Sequence, residues 1–135
     1  MMESMISLSQ LTRTSLAVHE LRKNNIPFTS VICEPTTGGV SASYATLGDF
    51  IISEKGATLA FAGRRVIEGT VRETLPDDFQ KSSWALEMGQ IDLIVERKYL
   101  NSTIGTLLNV LLKKAEAQAK QDSNVTLDKS LKESA

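Results

Sequence analysis

The chain has 135 residues, of which 41% are hydrophobic and 23% charged, and its formal net charge is −1. This length suits one domain or part of one, and the apolar content is enough for a folded core. Lys and Arg are mixed with Asp and Glu, which argues against nucleic acid as the main partner, since phosphate neutralisation needs a clustered basic surface. No run of about 18 apolar residues occurs, so no membrane span is expected. Cys33 is the only cysteine. It allows no intrachain disulfide and no cysteine-based zinc site, and it favours a reducing compartment.

Met1, Met5, Leu8, Leu11, Ser15, Val18 and Leu21 recur at steps of three and four. That spacing predicts a helix with one apolar face, with Met5, Leu8 and Leu11 in core packing. Polar residues interrupt any apolar run between Met1 and Lys23, so this segment does not read as a signal peptide. The helix is expected to stop near Lys23-Asn24-Asn25, where Asn tolerates a left-handed exit, and Pro27 prevents its continuation.

Phe28 to Cys33 reads as a strand without strict alternation, so both faces are candidates for burial. The run Pro35-Thr36-Thr37-Gly38-Gly39-Val40-Ser41-Ala42-Ser43 follows it. Two glycines let backbone pass close to a ligand, and a helix start after such a turn aims N–H groups at one point. Ala42 to Leu47 is expected to be helical. Phe50 to Ser53 reads as a second strand, Glu54-Lys55-Gly56 as a turn and Thr58 to Phe61 as a third strand.

Arg64 to Glu73 reads as a helix with Val66, Ile67 and Val71 on its apolar side. Asp78 is the expected N-cap of a helix from Phe79 to Met88, and Gly89 its C-cap. Ile91 to Val95 is a further strand, and Leu100, Ile104, Leu107, Leu108, Leu111 and Leu112 mark a last helix. Ala115 to Lys120 can extend it. No internal repeat is evident, and the alternation of elements predicts an α/β arrangement.

Conventional catalytic sets are absent from this pattern. His19 is the only histidine and is expected on the polar side of its helix. Cys33, at the end of an apolar strand, reads as a buried structural thiol. Asp77-Asp78 reads as helix-start chemistry. Arg64-Arg65 follows a strand-to-helix turn, where two guanidinium groups hold either an anion or structural salt bridges with Glu68 and another acid. Backbone donors at glycine turns beside arginines fit a site that stabilises developing negative charge.

Several segments stand together in order: the run from Pro35 to Ser43, Leu47-Gly48-Asp49, Phe61-Ala62-Gly63-Arg64-Arg65-Val66-Ile67-Glu68, Thr70-Val71-Arg72-Glu73, and Leu75-Pro76-Asp77-Asp78-Phe79-Gln80. Gly89 and Ile91 to Val95 complete the set. From about Met1 to Leu112 the chain closely resembles the carboxyltransferase β subunit of multi-subunit acetyl-CoA carboxylase. The resemblance implies a crotonase-like fold of stacked ββα units, here a partial domain over 1–114; the stretch over 115–135 lies outside the resemblance and its polar composition reads as a solvated, mobile tail. It implies carboxyl transfer from carboxybiotin, on a biotin carboxyl carrier protein, to acetyl-CoA, giving malonyl-CoA for fatty acid synthesis. ATP is used elsewhere, by the biotin carboxylase component.

The resemblance also implies an α subunit of the same fold as partner, in a heterotetramer with its active site between the two. Gly38 and Gly39 are expected to supply oxyanion N–H donors, aided by a helix starting near Val40. Gly63, Arg64 and Arg65 are expected near the substrate. No metal ligand is expected, because family members carry zinc on an amino-terminal four-cysteine ribbon and this chain has one cysteine in all. A Gly-Gly-Ala-Arg segment of the family falls just where this chain begins. The expected reading is therefore the carboxy-terminal half of a β subunit: a split-gene product, a truncated reading frame or a fragment, inactive alone and partnered by the missing amino-terminal half. The expected compartment is the bacterial cytoplasm, with plastid stroma as the alternative. A hydratase of the same fold would need a carboxylate beside the glycine turn, for which Glu34 is the close candidate.

Overall fold

The computed structural model describes residues 4–113. The expected tail over 115–135 and the helix extension over Ala115 to Lys120 lie outside the described residues. The chain divides into two compact units, Met1–Arg97 and Lys98–Ala135.

The first unit opens with helix α1, Ser4–Lys23. Asn25 at φ 56° ends it as expected, with the Asn25 and Ile26 N–H groups donating to the Arg22 and Leu21 carbonyls. The apolar stripe is a different matter. Val18 is its only buried residue, while Met5, Ile6, Leu8 and Leu16 are all more than half exposed. The core packing expected for Met5 and Leu8 is not met among the described residues. Only one charged residue, Arg13, stands between Ser4 and Val18. A helix this poor in charge is made to be covered.

Strands β1 (Thr29–Ile32), β3 (Phe50–Glu54) and β5 (Leu93–Val95) form a parallel sheet in the order β1-β3-β5. Strands β2 (Thr36–Thr37) and β4 (Leu59–Ala60) form a second, two-stranded parallel sheet. Helices α2 (Arg64–Val71) and α3 (Ser82–Glu87) lie between β4 and β5 in the chain, giving mixed α/β architecture. Ile32, Ala45, Ala57, Leu59, Ala85 and Ile91 make the core, with Ile51 and Ile94 packed against it. Ser30, Ile51 and Ile94 share that face by register, and β1 alternates half-buried with buried residues rather than burying both faces.

A short repeat, missed in the sequence, becomes visible at the strand starts. Asp49 accepts the Phe28 N–H through Oδ2 at 2.8 Å and returns its own N–H to the Phe28 carbonyl. Asp92 does the same with Ile51, at 2.7 Å. The segments Asp49-Phe50-Ile51-Ile52 and Asp92-Leu93-Ile94-Val95 thus enter the sheet by one device, which fixes register at each new strand. The repeat is only four residues long, too short to register as periodicity in a single sequence.

Two cap expectations divide. Gly89, at φ 70°, closes α3 with its own N–H on the Leu86 carbonyl and the Gln90 N–H on the Ala85 carbonyl. Asp78 does not cap it. The helix starts at Ser82 with Lys81 in the cap position, and Asp78 lies in a turn where its carbonyl accepts the Lys81 N–H. The antiparallel bridge between Thr58 and Lys81 holds that turn in extended geometry and delays the helix. In the second unit a helix runs through 100–113. The Thr106 hydroxyl donates to the Ser102 carbonyl within it, and the Ser102 hydroxyl to the Tyr99 carbonyl just before it.

At the carboxyl ends of β1, β3 and β5 stand Cys33, Glu54 and Arg97. Arg97 grips the largely buried Glu54 with two bonds, 2.5 and 3.0 Å. This lowers the Glu54 carboxyl below its ordinary range. A lowered carboxyl stabilises the fold above the ordinary glutamate pKa and loses that contribution as pH falls through the lowered value. Arg97→Met should therefore raise the pH at which the chain unfolds in acid, as followed by circular dichroism. An unchanged acid transition would show that the pair carries no linkage.

Candidate functional site

The glycine turn is built from competing hydrogen bonds. Gly38 takes φ +61°, a conformation that glycine adopts without strain. Its N–H donates to the Ala60 and Phe61 carbonyls at 3.1 and 3.2 Å, tying the turn to β4. The Ser41 hydroxyl meets the Gly38 and Ala60 carbonyls at 2.8 and 2.7 Å, and the Ser43 hydroxyl the Gly39 carbonyl at 2.8 Å. These side chains offer the backbone an alternative to helical bonding. The helix expected from Val40 therefore does not form. Residues 38–43 are turns, followed by one turn of 3₁₀ helix at Tyr44–Thr46.

This changes the donor set. The Gly38 N–H is engaged by β4, so that glycine shapes the turn instead of presenting a donor. The backbone bonds of this turn come from the N–H groups of Gly38, Ala42 and Ser43 and leave those of Gly39, Val40 and Ser41 outside the network. Helix α1 covers Gly39 closely: a Cβ there would stand 3.1 Å from Leu11 Cδ2. The far end of α1 is anchored by Arg22, whose guanidinium donates to the Leu47 carbonyl at 2.7 Å.

The second glycine turn lies across β4. Gly63 is the cap residue of α2, which begins at Arg64 as expected. The two arginines separate in role. Arg64 donates to Glu68 at 2.9 Å and to the carbonyls of Leu75 and Asp77, so it braces the loop after α2. Arg65 is exposed, and no ion pair or hydrogen bond engages it among the described residues. Of the two readings of the pair, the structural one fits Arg64, and Arg65 keeps its charge available.

Gln80 was not singled out from the sequence. It is buried, adopts φ 67°, and donates its amide to the Ala62 carbonyl at 2.8 Å, so it holds the Gly63 turn in place. No periodicity marks it; only its strained backbone and burial do. It also lines a cavity of about 660 Å³ together with Ser41, Ala60, Phe61, Phe79 and Trp84. Phe79 and Trp84 meet there edge to face, with ring centroids 5.0 Å apart.

Three other expectations are settled by position. His19 is exposed, as expected. Cys33 is exposed and not a buried structural thiol, because it stands one residue beyond the end of β1. Partial burial and the neighbouring Glu54 carboxylate push its thiol pKa up, which disfavours the nucleophilic thiolate. Glu34 is committed elsewhere: its carboxylate accepts the Thr58 N–H and hydroxyl, with Lys81 Nζ at 3.8 Å. It is a bracket between β2, β4 and α3, a poor hydratase base. No group of three or more metal-ligating side chains occurs among the described residues.

No family model matches the chain. Curated relatives do. It is 56% identical to the acetyl-coenzyme A carboxylase carboxyl transferase subunit beta of Pelagibacter ubique (strain HTCC1062), over 95% of this chain and 41% of that protein. It is 52% identical to the subunit of that name from Hydrogenobaculum sp. (strain Y04AAS1), over 84% of this chain and 42% of the relative. For the one from Sinorhizobium fredii (strain NBRC 101917 / NGR234) the figures are 48%, 91% and 40%. The chain thus spans about two-fifths of the length of the relatives it matches. The order of motifs from the Pro35 turn to Val95 and these identities agree: the chain is a homologue of part of the acetyl-coenzyme A carboxylase carboxyl transferase β subunit.

Proposed function

We propose that this chain is the carboxy-terminal part of a carboxyltransferase β subunit, with a crotonase-like ββα fold, and that it provides the acyl-CoA side of the active site. The observation that carries the reading is the glycine turn, where Gly38 is locked to β4 and the adjoining Gly39, Val40 and Ser41 N–H groups stand outside the backbone network. Acetyl-CoA must lose a methyl proton and become enolate-like before its carbon attacks a carboxyl group. Negative charge then develops on the thioester oxygen, and preorganised backbone donors stabilise it as they stabilise other oxyanions. Carboxybiotin, held on the carrier protein, would break its N–carboxyl bond to release CO₂, leaving a ureido nitrogen basic enough to accept that proton while the enolate carbon takes up the CO₂. This is consistent with a turn that offers donors and places no carboxylate base beside them.

Arg65 carries the charge for the anionic substrate, and Arg64 braces the loop after α2. The two are separable by substitution. Arg65→Ala should raise KM for acetyl-CoA about tenfold with kcat and stability nearly unchanged, as expected for one charge-assisted contact. Arg64→Ala should lower the unfolding midpoint instead. Equal effects of both on KM would remove the division of labour.

The working assembly is a heterotetramer with an α subunit of the same fold, joined by the amino-terminal half of the β subunit, which bears the zinc ribbon, and by the biotin carboxyl carrier protein. ATP is consumed by the separate biotin carboxylase component. The bacterial origin of the relatives supports the bacterial cytoplasm as its location, ahead of plastid stroma. No helix among the described residues is long and apolar enough to cross a membrane.

A second reading, a non-catalytic fragment or assembly module of the same complex, is favoured by the uncovered apolar residues of α1. Intact-mass analysis of what co-purifies with the tagged chain separates the two. Recovery of a zinc-ribbon polypeptide and an α-type subunit with carboxyl-transfer activity supports the enzyme. Recovery of the chain alone, without activity, supports the fragment.

A further inference from the structure

Residues 59–62 run between the two glycine turns and are held from both sides. On one side the Gly38 N–H donates to the Ala60 and Phe61 carbonyls, and the Ser41 hydroxyl donates to the Ala60 carbonyl at 2.7 Å. On the other side one residue takes both ends. The Gln80 backbone carbonyl accepts the Leu59 N–H at 2.9 Å, and the Gln80 side-chain amide donates to the Ala62 carbonyl at 2.8 Å. Leu59 and Ala60 are buried, but the Phe61 side chain is 73% exposed. Beyond Ala60, therefore, the segment depends on hydrogen bonds for its position.

Gln80 makes these bonds from a strained conformation. Its φ is 67°, a left-handed value that glycine adopts freely and glutamine does not. The turn is held there by the Lys81 N–H on the Asp78 carbonyl and by the bridge between Lys81 and Thr58. A glycine at this position would relax the turn and still offer its carbonyl to Leu59. What it would lack is the amide on Ala62. One neutral hydrogen bond offsets the strain at best, so stability alone accounts poorly for a glutamine here. A buried side chain kept where the backbone favours glycine marks a side chain that function needs.

We propose that Gln80 is a positioning residue for the oxyanion turn: through the bracketed segment 59–62 it sets where the Gly38 N–H is tied, and so where the adjoining Gly39, Val40 and Ser41 N–H groups point. The inference rests on the functional reading above. Gln80 touches no substrate in this role. It removes freedom from the segment against which the turn is built, and backbone donors stabilise a developing oxyanion only when they stand in place before the charge appears. The same amide fixes the carbonyl one residue before Gly63, so a single side chain aligns the two glycine turns with each other.

The test is steady-state kinetics of the reconstituted carboxyltransferase in the malonyl-CoA-consuming direction, with free biotin amide as carboxyl acceptor and intact complex quantified by size exclusion. Gln80→Met keeps the length of the side chain and removes the donor. It should lower kcat about tenfold with both KM values nearly unchanged, because the misplaced donors matter only in the transition state. Gln80→Gly also removes the donor but relieves the strain. It should lower kcat by a similar factor while unfolding at a higher urea midpoint than Gln80→Met. Combining Gln80→Met with Gly39→Val separates positioning from general loosening. If Gln80 acts through the turn, it should lower kcat less than about twofold once Gly39→Val has blocked that turn. A full tenfold loss in that background, a kcat that follows the urea midpoint from one single variant to the other, or an unchanged kcat in both overturns the inference, while the carboxyltransferase reading stands. A rise in either KM also overturns it, since it would mean direct contact with substrate. If the unsubstituted assembly is inactive, or Gly39→Val turns over normally, the reading of the glycine turn fails and the inference with it.

Discussion

Gly39→Val is expected to cut malonyl-CoA formation by the reconstituted carboxyltransferase by about 10²-fold or more, the scale of losing an oxyanion donor. The complex should still assemble. The substitution leaves the N–H in place but, on the proposed reading, fills the space through which a thioester oxygen would reach it. The Cβ position already stands 3.1 Å from Leu11 Cδ2, so the two further methyl groups of valine press on α1 or turn into the cleft. Leu11 is a flexible side chain, which is why folding should survive. Gly39→Ala, by contrast, needs only a small shift of Leu11 and should cost far less. Turnover by the valine variant at the unsubstituted rate, with size-exclusion evidence of an intact complex, would remove the glycine turn from the mechanism. The two-step series matters: a steric cause predicts a graded loss from glycine to alanine to valine.

The largest expected effect on stability is that of Gly48→Ala. A Cβ on Gly48 would lie 2.7 Å from the Phe50 carbonyl oxygen and 3.1 Å from both the backbone nitrogen and Cβ of Ser30. Two of these atoms belong to backbone inside β1 and β3, so nothing small can move aside. The next residue, Asp49, holds the reciprocal bonds to Phe28 that set the register of those strands. Displacing Gly48 would displace them too. The expected loss is about 3 kcal/mol or more, the range reserved for steric conflict with buried backbone. Urea unfolding of the chain should show a midpoint shifted far down at unchanged slope. A midpoint within error of the unsubstituted chain would mean that the strand start yields more easily than the packing implies.

Much of this architecture was legible from local chemistry. The end of α1 at Asn25, the end of α3 at Gly89, the start of α2 after Gly63 and the three strands of the main sheet all follow from turn residues and β-prone runs. Their signals are local: a left-handed residue, a missing N–H, a short apolar run. The order of the motifs also carried the family, since many short segments in one sequence are more specific than any of them alone.

Other features were not legible, for identifiable reasons. A helix after Val40 was the simplest reading of Ala42 to Leu47, but the Ser43 hydroxyl takes the Gly39 carbonyl that a helix would have used, and the Ser41 hydroxyl ties the turn to β4. Ser41 bonds the Ala60 carbonyl, 19 residues away, which no window over the local sequence contains. Asp78 looked like a cap until the bridge between Thr58 and Lys81 moved the helix start to Ser82.

The sequence by itself determined the class of the fold, the place of both glycine turns and the kinship of the chain, because these reside in residue types at fixed spacing. Tertiary structure decided the assignment of roles within the site. It gave the Gly38 N–H to β4 and left Gly39 facing α1, committed Arg64 to its own loop and left Arg65 available, and bound Glu34 to Thr58 and Lys81. A donor, a guanidinium or a carboxylate is chemically the same wherever it stands. What it can do depends on which partners have already claimed it, and those partners come from other elements of the chain.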